Sequence, residues 1–475
     1  MTNYNIKQNK ESKISINDLP GLLIGCDTKV PTLHGMKRYI NFDNAASTPT
    51  FLPIADSVKS FLRWYSNVHR GTGFKSQLSS WAFEESRDIV AKFVGADLSK
   101  QVVLFTKNAT EAINKLASKL TFEEGDIIIT TYMEHHSNEL PWRKVADVKH
   151  VGLNEDGTID TDDFLAKLKK FGSRVKLVAV TGASNVTGYL NDLDFFAREA
   201  HKIGAKIMID GAQLTPHRPV NLKPNDPECY IDYFVLSAHK MYAPFGVGVL
   251  ISDLETFEQG DPDQVGGGVV DIVTLEEAYW ADLPDKEEAG TPDIVGVVAL
   301  GHMIRLIQQI GWDAIVKHEV DLTTYALKEL KKIPEVKIYG DNDPNNTMNR
   351  LGVISMNVSD IPHYLVAAIL SYEGAIGVRS GCFCAHTYVK EIMRVTDEES
   401  KIMEQQILNR DRSGIPGTIR MSFGIYNTFE EIDRFIEMIK KIVAGDYNQN
   451  YVLDKEKGEY TPKGFKFDFK DYYTL

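Results

Sequence analysis

Val235-Leu236-Ser237-Ala238-His239-Lys240 ends a short apolar run on a small, hydroxyl-bearing turn that presents a lysine. Thirty residues upstream (240 minus 210), a second apolar run, Ile207-Met208-Ile209, ends in the acid Asp210 and continues into Gly211-Ala212-Gln213. Read together, the two runs predict adjacent buried strands, each delivering a charged group at its carboxyl end. Desolvating an acid and a lysine there is costly unless something uses both. A ligand carrying an aldehyde and a basic ring nitrogen does so: the amine forms a Schiff base with the aldehyde, and the carboxylate keeps the nitrogen protonated, so that the ring accepts electrons from a carbanion. Alone, a lysine after a strand is usually a solvated turn residue, and an aspartate there is often a helix cap. The pair, in this order and with these neighbours, carries the reading.

Pyridoxal phosphate is the ligand with those two groups. Ser237 and His239 flank the lysine with hydrogen-bonding groups suited to a phosphate, and Gln213 lies one turn past Asp210, within reach of the ring hydroxyl. Outward from this pair, apolar runs of strand length alternate with segments of helical period. Val102–Phe105, Ile127–Thr130, Val175–Thr181, Lys206–Asp210, Tyr233–Ser237 and Gly248–Ile251 read as strands, and Thr110–Leu120, Thr161–Phe171 and Leu193–Ile203 as helices. The alternation predicts an α/β fold with a mostly parallel sheet covered on both faces and binding groups at the carboxyl ends of strands. After Gly290 the pattern changes, and a helix from about Val295 to Ile310 leads into a smaller α+β domain. The expected division is an N-terminal arm over 1–50 contributing to the small domain, a large cofactor-binding domain over 51–295, a small domain over 296–445 and a tail over 446–475. The tail, with little periodicity, is expected either to be mobile or to lie across the surface or a partner subunit.

A chain of 475 residues, 43% hydrophobic and 25% charged, can bury an ample core. Its net charge of -13 argues against nucleic acid or anionic membrane as a partner. The first ten residues contain no apolar targeting core, and no later stretch has the apolar length of a membrane span, which predicts a cytoplasmic protein. Four scattered cysteines, Cys26, Cys229, Cys382 and Cys384, are too few for a disulfide framework. They also lack the second sulfur pair of a structural metal site, so no metal is expected.

Further segments carry a family likeness. In order they are Asn41-Phe42-Asp43-Asn44-Ala45-Ala46-Ser47, Val68-His69-Arg70-Gly71, Thr110-Glu111-Ala112-Ile113-Asn114, Glu134-His135-His136-Ser137-Asn138 and Ser184-Asn185-Val186-Thr187-Gly188. Beyond the Asp210 and Lys240 segments come Gly290-Thr291-Pro292, Val378-Arg379-Ser380-Gly381-Cys382-Phe383-Cys384-Ala385 and Arg420-Met421-Ser422-Phe423. From about Tyr39 to Arg434 the chain resembles the class V, fold-type I pyridoxal-phosphate enzymes, most closely the SUF-type cysteine desulfurases and selenocysteine lyases. The resemblance implies a homodimer whose cofactor phosphate sits on the turn of Ala109 and Thr110, on Ser237 and His239, and on Thr291 from the other subunit. It also implies that His135 stacks on the ring and shuttles protons, that Asn185 bonds the ring oxygen and substrate, and that Arg420 clamps the substrate carboxylate, with Arg379 and His69 as further substrate contacts.

Cys384 decides the reaction. A desulfurase needs a thiolate that takes sulfur from a cysteine adduct as a persulfide and leaves alanine; Lys240, once freed, moves the α proton. A sulfur-acceptor protein would then be a partner. The chain departs from the family at Ala109, where a hydroxyl residue is common, at Cys382 and Phe383, where SUF-type enzymes have two histidines, and over about 394–417, where the link to Arg420 is longer than usual. Cys382 is open to two readings, a second thiol that receives or resolves a persulfide or a small buried apolar residue. Two rival functions stay open as well: a carbon-sulfur lyase, selenocysteine lyase, epimerase or aminotransferase of the same class without a thiol step, and a non-catalytic binding protein that keeps the fold.

Overall fold

The computed structural model describes residues 14–69 and 71–475; the first thirteen residues of the expected arm, and Arg70 of the Val68–Gly71 segment, lie outside it. The central element is a seven-stranded sheet made of β1 (Gln101–Thr106), β2 (Ile127–Thr131), β3 (Asp147–Val151), β4 (Val175–Thr181), β5 (Lys206–Asp210), β6 (Tyr233–Ser237) and β7 (Gly248–Asp253). Its order is β1-β7-β6-β5-β4-β2-β3. Strand β7 pairs antiparallel with both β6 and β1, and the other pairings are parallel. Buried on both faces, the inner strands are near-continuous apolar runs instead of alternating ones, with Lys176 near the start of β4 an exposed exception. Ile207 and Ile209 pack in one apolar core and Met208 in another, so the sheet separates two layers.

A second, antiparallel sheet consists of β8 (Val336–Tyr339), β9 (Val353–Val358), β10 (Arg379–Gly381) and β11 (Thr418–Ser422), in the order β8-β9-β11-β10. Its own core gathers Met421, Phe423, Phe435 and Ile439 together with Ile40 and Phe42 from the N-terminal region. Residues Ile40 and Asn41 pair in parallel with Ile376 and Gly377, which ties that region to the second sheet. This is the fold-type I arrangement of a large, mostly parallel α/β layer beside a smaller α+β one. The two meet through buried ionic contacts: Glu319 lies 2.8 Å from His217 Nδ1, pairs with Arg218, and accepts the Gly352 N–H at 2.9 Å.

The stretch at 394–417 folds as a helix, Asp397–Leu408, started by a Thr396/Glu399 capping box, followed by a loop. Residues beyond Gly445 form a hairpin, Tyr451–Asp454 with Glu459–Pro462, laid over helix His363–Gly374 of this same chain. Among the described residues no single helix is long and apolar enough to cross a membrane.

Candidate active site

A cavity of about 480 Å³ opens where the carboxyl ends of the large-sheet strands face β10 and β11. Each strand delivers its side chain because a strand ending at a parallel sheet's carboxyl edge turns there into a loop or helix. Lys240 follows β6, Asp210 ends β5, Asn185 follows β4, His135 follows β2, and Ala109 and Thr110 begin α1 (Ala109–Lys119) after β1. All five segments line the cavity, with Gln213, Ser237 and His239; Arg379 and Arg420 come from the second sheet and Cys384 from the loop after β10. Two expected residues lie elsewhere. Thr291 lines a separate, smaller cavity with Gly246 and Gln264, and His69 sits 3.8 Å from Asp285 and edge-on to Phe83.

Burial pulls the Lys240 amine down to about 8, a shift that Asp210 opposes and Arg420 reinforces. Burial pushes Asp210 up; among the described residues its carboxylate accepts one hydrogen bond, from the Ala212 N–H at 2.9 Å. A buried carboxylate so thinly partnered suits a protonated ring nitrogen. At the start of α1, Asn108 caps the helix by accepting the Glu111 N–H, and the Ala109 N–H donates to Ser237 Oγ at 3.0 Å. Gly248 makes this turn possible, since a Cβ there would lie 2.2 Å from the Asn108 carbonyl carbon. Hydroxyls and amides at the helix start form a cradle for a phosphate. Thr110 Oγ1 is 2.7 Å from Ser137 Oγ, and His239 Nδ1 is 3.2 Å from Ser47 Oγ, with burial pulling His239 down to about 4.

His135 Nδ1 accepts the Ser137 N–H at 3.1 Å, so the neutral ring carries its proton on Nε2; burial and the nearby Lys240 charge pull its pKa down to about 3. Gln213 donates to the Ala45 carbonyl at 2.6 Å, and Asn185 Nδ2 donates to the Phe383 carbonyl at 2.8 Å.

A sequence profile of the aminotransferase class-V family matches residues 40–435. The chain belongs to that family. The class-V enzymes are pyridoxal-phosphate dependent, and the amine, acid and helix-start cradle of this chain fit that cofactor. A protein named probable cysteine desulfurase from Halalkalibacterium halodurans is 33% identical over 411 residues, spanning 85% of this chain and 92% of its own length. A protein of the same name from Staphylococcus aureus is 34% identical over 414 residues, with the same two coverages. Among solved structures, the apo cysteine desulfurase of Thermococcus onnurineus NA1 superposes with a TM-score of 0.77 at 31% identity, covering 91% of this chain and 99% of that one. The cysteine desulfurase CsdA of Escherichia coli gives 0.71 at 27% identity, covering 86% and 95%.

Within this class-V site the cysteine loop has a conformation of its own. Phe383 and Cys384 both have φ of +54°, a left-handed region that costs non-glycine residues roughly 1–2 kcal/mol each. Contacts from the large sheet hold them there: the Asn185 amide on the Phe383 carbonyl, and the His136 N–H on the Cys384 carbonyl at 2.7 Å. Cys384 is exposed and Cys382 is buried. Burial pushes the Cys382 thiol up to about 11, and its Sγ donates to the Pro416 carbonyl at 3.0 Å.

Arg420 is 2% exposed. Its Nη1 donates to the Asn185 carbonyl at 3.0 Å, its Nη2 to Asp43 Oδ1 at 2.9 Å, and the Phe383 ring lies 4.8 Å from its guanidinium carbon. Burial lowers it to about 10, against the pull of Asp43. Reading the sequence missed three site residues. Asp43 stood inside a quoted motif but carried no sign of contact with residues more than three hundred positions away. His136, given no role beside His135, clamps the cysteine loop through its backbone. Glu134, fully buried and pushed up to about 8 by burial, accepts from Thr131, Asn138 and the Thr181 N–H and so ties β2 to β4 beneath His135.

Proposed function

We propose that this class-V enzyme is a cysteine desulfurase, converting L-cysteine and the Cys384 thiol into L-alanine and a Cys384 persulfide. The observation that carries the reading is the exposed Cys384, held on a strained loop over the same cavity that Lys240 and Arg420 line. An inert structural cysteine would be buried, as Cys382 is.

In this reading Lys240 would hold pyridoxal phosphate covalently, Asp210 would serve its ring nitrogen, and Ser237, His239, Ala109 and Thr110 would hold its phosphate. The bound cofactor supplies an electron sink for charge developing at the substrate α carbon. Arg420, with Asn185, orients the substrate carboxylate; a planar guanidinium suits that task. Lys240, uncharged above about pH 8, takes the α proton once released. The Cys384 thiolate attacks the substrate sulfur, forming the S–S bond as the C–S bond breaks, and the product leaves as alanine once Cβ has been protonated and Lys240 has returned a proton to the α carbon. The neutral His135 has an Nε2 proton to exchange in these steps.

Arg379, in the cavity lining, is a second charge for the substrate, and Thr291 and His69 are contacts from outside it. Thr291 lies outside the cavity of its own chain, which suits a homodimer in which it serves the other site. A hairpin of Val270–Val273 and Ala278–Trp280, exposing Ile272, Val273, Leu275 and Tyr279, supports that assembly. A sulfur-acceptor protein is the proposed partner for the persulfide, and the cytoplasm the proposed location.

Purified holoenzyme given L-cysteine and a reductant should release sulfide and alanine, with a mass gain of one sulfur on Cys384 when the reductant is omitted. Cys384→Ala should abolish both. Pyruvate and ammonia as products, undiminished in C384A, would replace this reading with a carbon-sulfur lyase.

A further inference from the structure

Arg379 and Arg420 are direct cross-strand partners on β10 and β11, so their side chains project from the same face of the sheet, where like charges repel. Asp43 stands between them. Its Oδ1 accepts from Arg420 Nη2 at 2.9 Å, and its Oδ2 lies 3.2 Å from Arg379 Nε. The Asp43 backbone is itself fixed, bridging in parallel to Ser422 and donating to the Asn41 side chain at 3.1 Å. One carboxylate shared by two guanidiniums leaves one positive charge over. Arg420 Nε, buried, has no hydrogen-bond partner among the described residues. An unsatisfied N–H on a buried charged group is destabilising, and the one positive charge left over at this pair is balanced by a single incoming monoanion.

Building on the reading of this cavity as an amino-acid site, we propose that Asp43 is a specificity-determining residue: it neutralises one of the two arginines, so that the pair accepts one carboxylate and gives no advantage to a dianion that would bridge both. The ligand class that follows is an α-amino acid held by its single main carboxylate. Asp43 also keeps Arg379 and Arg420 in register before the substrate arrives, which spares the reorganisation a bare arginine pair would require. The other titratable or charged groups facing Arg420 are the Cys384 thiol and Arg379, and Lys240 also lines the cavity with Asp210 as its own counter-charge. Asp43 is thus the carboxylate that sets the balance at the arginine pair.

The test is calorimetric titration of holoenzyme with acetate and with malonate, in wild type, Asp43→Asn, Arg379→Gln and the double variant, with cofactor absorbance as the check that each site is intact. Wild type should bind the two anions with similar affinity. D43N should prefer malonate by at least about fivefold, as two uncompensated arginines meet a dianion. R379Q, which leaves Asp43 and Arg420 at net zero, should bind acetate at least about fivefold more weakly than wild type; D43N/R379Q should recover that loss without gaining a malonate preference. A malonate-to-acetate ratio in D43N within twofold of wild type would overturn the proposal, as would a double variant no better than R379Q. If D43N fails to hold cofactor, R379Q decides alone: acetate binding equal to wild type rejects the proposal. Since neither probe is turned over, a failure to release sulfide from L-cysteine would sink the desulfurase reading and leave this one standing.

Discussion

Lys240 shows how one buried amine links folding to chemistry. Its proton leaves near pH 8, where an exposed lysine would hold it to 10.5. Uptake of pyridoxal phosphate by the apoprotein should therefore speed up as pH rises and level off a little above 8, a dependence that stopped-flow absorbance can follow. Between about 8 and 10.5 the unfolded chain binds a proton that the folded apoprotein has released, so this group makes the apoprotein more stable as pH rises across that window. Denaturant melts of wild type and Lys240→Met over the same range should show a more positive slope of stability against pH in wild type. In K240M, borohydride should add no cofactor mass at residue 240. The acid and the lysine were both legible in the sequence because each closes an apolar run. Asp43 was not, because what matters about it is the two guanidiniums it meets, and those come from strands near the far end of the chain.

At the level of elements, strand ends were the legible part. Val175–Thr181, Lys206–Asp210 and Tyr233–Ser237 are strands with the bounds their apolar runs suggest, and Thr161–Phe171 is the helix its period suggests. Strand β3, Asp147–Val151, was missed because an edge strand need not be apolar: four of its five residues are exposed or half-buried. The close approach of β7 to the α1 turn was equally silent in the sequence. Gly248→Ala should push the Asn108–Ala109 turn away and weaken pyridoxal phosphate binding by tenfold or more, measured by cofactor titration, while melting by circular dichroism changes much less. The two departures at the C-terminal end are joined to one another. Arg412 N–H bonds the Lys455 carbonyl of the final hairpin, His363 Nε2 lies 3.0 Å from the Ile415 carbonyl, and the Pro416 carbonyl takes the Cys382 thiol. Ending the chain after Gly445 removes the first of these props. Alkylation of Cys382 should then accelerate several-fold against Cys384 in the same sample, as read by peptide mass spectrometry.

For the whole molecule, the decisive prediction concerns a second copy. Leu275 is fully exposed at the tip of its hairpin, with Val273 at 64% and Ile272 at 60%. A patch of that kind on a monomer is a liability unless it is covered. If the proposed dimer forms through this hairpin, Ile272→Asp with Leu275→Asp should halve the mass seen by sedimentation. If Thr291 serves the neighbouring phosphate site, the split protein should also bind cofactor more weakly. An unchanged mass would remove the hairpin from the interface.

The sequence by itself determined the α/β class, the strand order of chemistry along the chain and the cofactor, because buried parallel strands must be apolar runs and their polar ends stand out against them. It also named most of the residues that line the cavity. Only the tertiary structure decided which thiol is presented and which is buried, how the cysteine loop is held in a left-handed conformation, and that one aspartate answers for two arginines. Those are relations between distant segments, set by packing across the two sheets, and local sequence carries no term for the distance between them.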